Sequence, residues 1–192
     1  MLNLRSDEIS DISILSKGNF KELKQLDFLL NKISDIKILE KVNFKKLEIL
    51  ALKYNKISDI NVLEKVNFKE LKELYLMANK ITDISVLEKV NFKKLEILDL
   101  SSNFRITIFN VLANVNFKDL KDLDLWNCSI SNITFLEKVK FYKLENLTLS
   151  DNYITDISVL EKVNFKRLKS LGLSSNRISD INVLGRVNFK EL

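Results

Sequence analysis

The chain has 192 residues, of which 46% are hydrophobic and 30% charged, with a formal net charge of +5 and no histidine or proline. The lack of histidine excludes a Ser-His-Asp or Cys-His catalytic relay, and the single cysteine excludes an intramolecular disulfide. Three separated glycines, Gly18, Gly172 and Gly185, cannot form a nucleotide-binding glycine loop. We therefore predict that the chain is not an enzyme and has no cofactor or metal.

Targeting features are missing from the sequence as given. Charged residues such as Arg5 and Glu8 interrupt any apolar leader at the start. No stretch approaches the roughly 18 uncharged apolar residues of a membrane span. A lone cysteine suits a reducing compartment. These features predict a cytoplasmic protein without a membrane span.

One motif recurs eight times along the chain. Its spacing is 24 residues, with a single step of 25, and no proline- or glycine-rich linker interrupts the series. We therefore predict one domain over residues 1–192, with eight strands. The terminal copies show no obvious polar cap, so we expect either a segment of a longer array, which would self-associate end to end when isolated, or ends that pack against another chain. The phenylalanines that mark the period are Phe20, Phe44, Phe68, Phe92, Phe117, Phe141, Phe165 and Phe189.

Each copy opens with alternating leucines, such as Leu74 and Leu76, which predict a short strand with one buried face. A polar residue follows at a fixed position, and in the same copy it is Asn79. We expect this side chain to hydrogen-bond the backbone of the neighbouring turn, because buried amides need partners. We interpret Cys128, which occupies the same position in the sixth copy, as a structural thiol. The other equivalents are Asp7, Asn31, Asn55, Asn103, Asn152 and Asn176.

The second half of each copy predicts one or two helical turns. Ser85 and Glu88 have the spacing of a capping box, in which a hydroxyl and a glutamate satisfy backbone N–H groups. An aspartate recurs just before this arc, and bonding to the local turn explains it more simply than calcium binding. These aspartates are Asp11, Asp35, Asp59, Asp83, Asp156 and Asp180.

The run Leu-x-x-Leu-x-Leu-x-x-Asn-x-Ile, clearest from Leu71 to Ile81, resembles the leucine-rich repeat and covers essentially the whole chain. The Ile-x-Asp-Ile-x-x-Leu that follows resembles the short-repeat subclass that includes bacterial internalins and SDS22-like phosphatase regulators. This resemblance implies an α/β right-handed solenoid, or horseshoe, with a parallel β-sheet on the concave face and short helical or 3-10 turns on the convex face. It also implies a non-catalytic module that binds another protein on the concave sheet. An internalin-like surface adhesin and the recognition arm of a larger enzyme are the alternatives.

Side-chain alternation decides which residues the concave face exposes, because neighbours of the inner leucines point the other way. Aromatic residues are the usual anchors of protein interfaces, so we predict a partner-binding surface centred on Tyr75, Met77 and Trp126. Its predicted members are Leu29, Ile49, Lys53, Tyr54, Glu73, Tyr75, Met77, Ile97, Asp99, Asp122, Asp124 and Trp126.

Charge is predicted to divide between the two faces. The concave positions, which include Ser6, carry six acids against two bases, Arg5 and Lys53, so that this face should be acidic on a basic chain. The lysine-rich outer face has no interleaved aromatic residues, and we expect no nucleic-acid binding. The six acids are Asp27, Glu73, Asp99, Asp122, Asp124 and Asp151.

The fifth copy departs from the pattern, with one extra residue within positions 103–109. Two interpretations stay open from the sequence. The insertion widens the binding surface, or it is neutral drift in a tolerant loop, where added residues cost little.

Overall fold

The computed structural model describes residues 1–5 and 8–192, so Ser6 and Asp7 lie outside the described residues. Within these residues, each copy contributes one strand to an eight-stranded sheet in which sequential strands are neighbours. All pairs are parallel and join equivalent positions, as Leu50 with Leu74 and Leu74 with Leu98. The strands are Leu2–Asn3 (β1), Gln25–Asp27 (β2), Ile49–Ala51 (β3), Glu73–Tyr75 (β4), Ile97–Asp99 (β5), Asp122–Asp124 (β6), Asn146–Thr148 (β7) and Ser170–Gly172 (β8).

A short 3-10 helix follows each strand on the convex side, as the resemblance implied. The capping-box prediction is wrong: the Ser85 side chain makes no cap hydrogen bond. Instead the Ser85 backbone N–H donates to Asp83 Oδ1 at 2.8 Å, and Glu88 accepts a bond from Asn114 of the next copy. A single turn leaves few free N–H groups, and the aspartate already satisfies one. The 3-10 helices are Ser13–Lys17, Lys37–Glu40, Asn61–Glu64, Ser85–Glu88, Asn110–Ala113, Thr134–Glu137, Ser158–Glu161 and Asn182–Gly185.

The core lies between the sheet and the 3-10 helices and runs along the whole array. Leu74 and Leu76 are fully buried, whereas Tyr75 and Met77 beside them are partly exposed. The predicted side-chain parity of the strands is therefore confirmed. The phenylalanine column packs copy against copy, and the rings of Phe44 and Phe68 stack at a centroid distance of 6.1 Å.

A ladder of buried asparagines links the copies, as predicted. The Ile57 backbone N–H of the preceding copy donates to Asn79 Oδ1 at 3.0 Å. Asn79 Nδ2 donates to Leu52 O of that copy and to Leu76 O of its own, each at 2.9 Å. One side chain thus closes its own turn and bonds two backbone groups of its neighbour. The same arrangement recurs at Asn31, Asn55, Asn103, Asn152 and Asn176.

The residue before each described ladder position has a left-handed backbone conformation. The φ angles lie between 51° and 59°, and none of these residues is glycine. The conformation turns the chain sharply, so that the following side chain points inward. The residues are Leu30, Tyr54, Ala78, Ser102, Asn127, Asp151 and Ser175.

The outer edges of β1 and β8 pair with no other strand in the part of the chain that the structure describes. Leu171 on β8 and Leu173 just after it are partly exposed, although the equivalent Leu147 and Leu149 are buried. End-to-end self-association stays a prediction. No described helix has the length and apolar character that crossing a membrane requires.

Candidate functional site

The twelve predicted binding residues lie in rows that run across neighbouring strands. Tyr75 on β4 is paired with Asp99 on β5, and Asp99 with Asp124 on β6. Ten of the twelve are partly exposed, Tyr54 is exposed and Asp99 is only 5% exposed. The centre of the concave face therefore combines aromatic and acidic side chains at strand spacing.

Lys53 forms a bridge over the centre of this surface. Its Nζ lies 4.0 Å from the centroid of the Tyr75 ring and 3.1 Å from Asp99 Oδ2. The Tyr75 hydroxyl donates to Glu73 Oε2 at 2.8 Å. Partial burial, and then the Glu73 carboxylate, raise the pKa of Tyr75 well above its usual value. Tyr75 therefore stays neutral and is held in place by partners above and beside its ring.

Two of the six concave acids are neutralised within the fold. Asp27 is 2% exposed, and its Oδ2 lies 2.9 Å from the Arg5 guanidinium. Asp99 is paired with Lys53 and accepts a hydrogen bond from the Ser101 backbone N–H at 3.1 Å. The predicted acidic surface is therefore narrower than the sequence suggested. Its remaining acids are Glu73, Asp122, Asp124 and Asp151, none of which has an ion-pair partner among the described residues.

Asp122 and Asp124 are partly buried carboxylates that have no ion-pair partner among the described residues. Asp122 Oδ2 accepts a hydrogen bond from Asn146 Nδ2 at 3.1 Å, and Asp124 Oδ1 accepts one from the backbone N–H of Trp126 at 2.9 Å. Burial raises the pKa of both carboxyl groups, and the nearby charge of Asp99 adds to the effect. Their ionised forms therefore oppose folding at neutral pH.

We expect Asp122→Asn to stabilise the fold. A raised pKa in the folded state means that ionisation costs stability above that pKa, and that the cost vanishes as pH falls through it. The variant should raise the unfolding midpoint by about 1–3 °C at pH 7 and leave it unchanged near pH 3, measured by circular dichroism. Asp83→Asn is the control, because the Ser85 N–H lowers the pKa of Asp83 and its charge favours folding. A midpoint lowered by Asp122→Asn at pH 7 would contradict this.

The irregular fifth copy and Cys128 are two parts of one feature. In regular copies the ladder amide accepts the N–H of an isoleucine in the preceding copy, but Cys128 has no amide. Ile106 N–H instead donates to Asn103 O within its own turn, at 3.1 Å, and the extra residue makes this turn long enough. The Cys128 thiol donates weakly to Leu100 O at 3.3 Å, and burial raises its pKa to about 12, in agreement with a structural thiol.

The same irregularity changes the backbone hydrogen bonding between the turns that follow the strands. Phe104 and Ile108 are 57% and 62% exposed in the lengthened turn. At regular copies, the residue after the asparagine donates its N–H to the preceding copy, as Lys80 does to Ile57 O at 2.8 Å. Within the described residues no backbone N–H donates in this way to Ile81 O or Ile106 O. The insertion therefore interrupts one backbone ladder while it preserves the core.

The aspartate column bonds locally, as the simpler interpretation predicted. Each of the six carboxylates accepts the backbone N–H two residues later at 2.8 Å. No group of three or more side chains suited to holding a metal lies together within residues 1–5 and 8–192.

The sequence matches the family described as Leucine Rich repeats (2 copies) over residues 45–89, 69–114 and 142–186, which together exceed half of the chain. The chain belongs to the leucine-rich repeat family. No match is found among curated protein sequences.

Similar solved structures indicate which type of leucine-rich repeat protein this is. An internalin (InlF) from Listeria monocytogenes superimposes with a TM-score of 0.78 at 29% identity, over 96% of this chain and 50% of its own. Internalin C2 from the same organism gives 0.73 at 28% identity, over 97% and 75%. The plant peptide hormone receptor RGFR1, in complex with RGF2, gives 0.64 at 22%, over 96% and 33%, and shows the fold alone. This is an internalin-like leucine-rich repeat protein, and it spans about half the length of the first of these structures.

Proposed function

We propose that the chain is a non-catalytic module that binds a protein partner on its concave face. Leucine-rich repeat proteins generally mediate protein–protein interactions. The observation that carries the proposal is the combination of partly exposed Tyr75, Met77 and Trp126 with carboxylates that burial makes costly. Side chains kept at a cost to folding are typical of binding surfaces.

The charges on this face define the chemistry of the partner. Glu73, Asp122 and Asp124 have no cation of their own among the described residues, although Asp99 has Lys53. Lys53 also shows how the face holds a cation, with one aromatic ring beneath it and one carboxylate beside it. A partner segment with basic and apolar side chains would complement this surface, because opposite charges fix orientation and speed encounter.

An internalin-like surface adhesin is the second candidate, and similarity to two Listeria internalins supports it. The two candidates place the chain in different compartments. A cytoplasmic module, as the lone buried Cys128 suggests, would survive protease treatment of intact cells. A surface adhesin would be cleaved.

Trp126→Ala combined with Tyr75→Ala tests the concave surface. We expect the double variant to lose proteins that the wild type retains in affinity capture, because aromatic anchors dominate interface energies. Trp126→Ala alone should change the free energy of unfolding by less than about 1 kcal/mol, since the side chain is partly exposed. Tyr142→Ala, which removes a 54% exposed ring away from this face, is the matched control. Equal capture by the double variant would contradict the proposal.

A further inference from the structure

Two columns of charged residues alternate in sign from one copy to the next. The residue two positions before the first strand leucine forms the first charge ladder, which is Lys24, Glu48, Lys72, Glu96, Lys121, Glu145 and Lys169. Two positions earlier lies the second charge ladder, which is Glu22, Lys46, Glu70, Lys94, Asp119 and Lys143. Arg167 ends the alternation of the second ladder, while the first continues.

Neighbouring members of the first ladder are joined by both backbone and side chains. The Lys72 N–H donates to Glu48 O at 2.8 Å, and the Lys72 ammonium lies 2.7 Å from Glu48 Oε2. Lys24 approaches the same carboxylate at 3.2 Å from the other side. Hydrogen bonds from these two lysines lower the pKa of Glu48. Glu48 is thus paired with the copies on both sides, and two further pairs in this ladder join Glu96 to Lys121 and Glu145 to Lys169.

The second ladder also joins neighbouring copies by ion pairs, with one partner for each of its members among the described residues. Lys46 lies 2.5 Å from Glu22, Lys94 lies 2.6 Å from Glu70 and Lys143 lies 2.5 Å from Asp119. Its sign is opposite to that of the first ladder in every copy from the second to the seventh. The array thus has a chemical period of two copies, although its strands and core have a period of one.

Apolar packing distinguishes the copies only at a few positions, such as Phe28 and Phe135, where most copies have leucine or valine. The buried leucines occupy the same positions in each copy, so a strand can dock on the next copy or on the one after it with similar core contacts. Closing a loop twice as long favours the correct neighbour by only about threefold. Some other property must select the neighbour while the array assembles.

We propose that the two charge ladders select the correct order of the copies during folding. A copy that skips its neighbour would meet like charges in both ladders at once, Glu48 against Glu96 and Lys46 against Lys94. Opposite charges across strands are favourable and like charges are not, so the two ladders together disfavour the skipped order by about tenfold. This exceeds the discrimination that loop length supplies.

Two deletions reproduce the alternatives covalently. Removal of residues 49–72 takes out one copy and places Glu48 beside Glu96, as a skipped copy would. Removal of residues 49–96 takes out two copies and places Glu48 beside Lys121, which keeps both ladders alternating. Fewer copies alone would make the second deletion the less stable one.

The expected results differ in their response to salt. Raising NaCl from about 0.02 M to about 1 M should raise the folding equilibrium constant of the one-copy deletion about fivefold relative to that of the two-copy deletion, because the ion pairs that both deletions keep are screened alike. Glu48→Gln should destabilise the full chain but leave the one-copy deletion unchanged or more stable. Equal salt responses in the two deletions would overturn the proposal.

Refolding of the full chain gives a second measurement. A variant with all seven residues of the first charge ladder changed to Gln should refold with an added slow phase, as chains with skipped copies rearrange. Ion pairs that only stabilise the native array would change the unfolding rate and leave refolding in a single phase, and that result would also overturn the proposal.

Discussion

Asn79→Ala is expected to destabilise the fold by about 2–4 kcal/mol. Asn79 is buried, and its amide satisfies the N–H of Ile57 and the carbonyls of Leu52 and Leu76. Alanine would leave the Ile57 N–H without its acceptor, at a cost of about 1–3 kcal/mol. It would also remove one of two side-chain donors from each carbonyl, because Leu52 O also accepts from Asn55 Nδ2 and Leu76 O from Asn103 Nδ2. The cavity left by the amide adds to the loss. The free energy of unfolding in urea, with an unchanged denaturant slope, measures the loss.

Asn91→Ala in the same copy is the control for this experiment, because Asn91 is exposed and has no place in the ladder. It should change the free energy of unfolding by less than about 0.5 kcal/mol. A loss below about 1 kcal/mol for Asn79→Ala would mean that water can replace the amide, and the ladder would then not be the main bond between copies.

Deletion of Phe104 and Cys128→Asn are expected to destabilise the fold singly and to compensate when combined. The deletion restores the regular turn length but leaves Ile106 N–H facing a thiol instead of an amide. The substitution adds an amide whose natural donor is already bonded to Asn103 O. Each single change leaves one buried polar group unsatisfied, at about 1–3 kcal/mol, and the double variant rebuilds the regular ladder.

A double-mutant cycle measures this coupling. We expect an interaction free energy of about 1–3 kcal/mol in favour of the double variant, from the unfolding of all four proteins. Deletion of Arg105 is not an equivalent control, since it shortens the same turn, whereas Phe104→Ser removes the exposed ring and keeps the length. Phe104→Ser should show no coupling to Cys128→Asn. Additive effects of the deletion and Cys128→Asn would show that the two irregularities are independent.

Local features of the fold were predictable from the sequence because the same residue pattern recurs in every copy. Alternation around Leu74 and Leu76 predicts a strand with one buried face, and eight repetitions of it predict a parallel sheet. The ladder role of Asn79 follows from a polar residue at constant depth. In both cases a short-range rule decides the outcome, and the structure agrees.

Side-chain contacts between copies were harder to predict from the sequence. Lys53 reaches past the neighbouring strand to Asp99, 46 positions later, and Arg5 neutralises Asp27 across one strand. A count of charges on the concave face cannot reveal these pairs, because they depend on side-chain direction. The capping-box prediction failed for a related reason, since Asp83 accepts the Ser85 backbone N–H that Glu88 was expected to bond.

The alternating charge ladders were present in the sequence and could have been found there. Alignment of the copies by their phenylalanines shows first that the leucines repeat in every copy. This dominant repeat hides the charge pattern, which repeats every two copies. Comparing Phe44–Leu50 with Phe92–Leu98, which are identical, reveals it. The connection between Cys128 and the lengthened turn needed the structure, because it depends on which N–H group has lost its acceptor.

The left-handed turn residues have an implication for engineering. Such a backbone costs an ordinary side chain about 1–2 kcal/mol, and Ala78, Ser102 and Ser175 bear that strain without an aromatic or charged group that would serve a partner. Glycine at these three sites would relax the chain, partly offset by the greater freedom of the unfolded state. The fold can therefore be made more thermally stable by glycine substitutions at these sites, which leave the predicted binding surface unchanged.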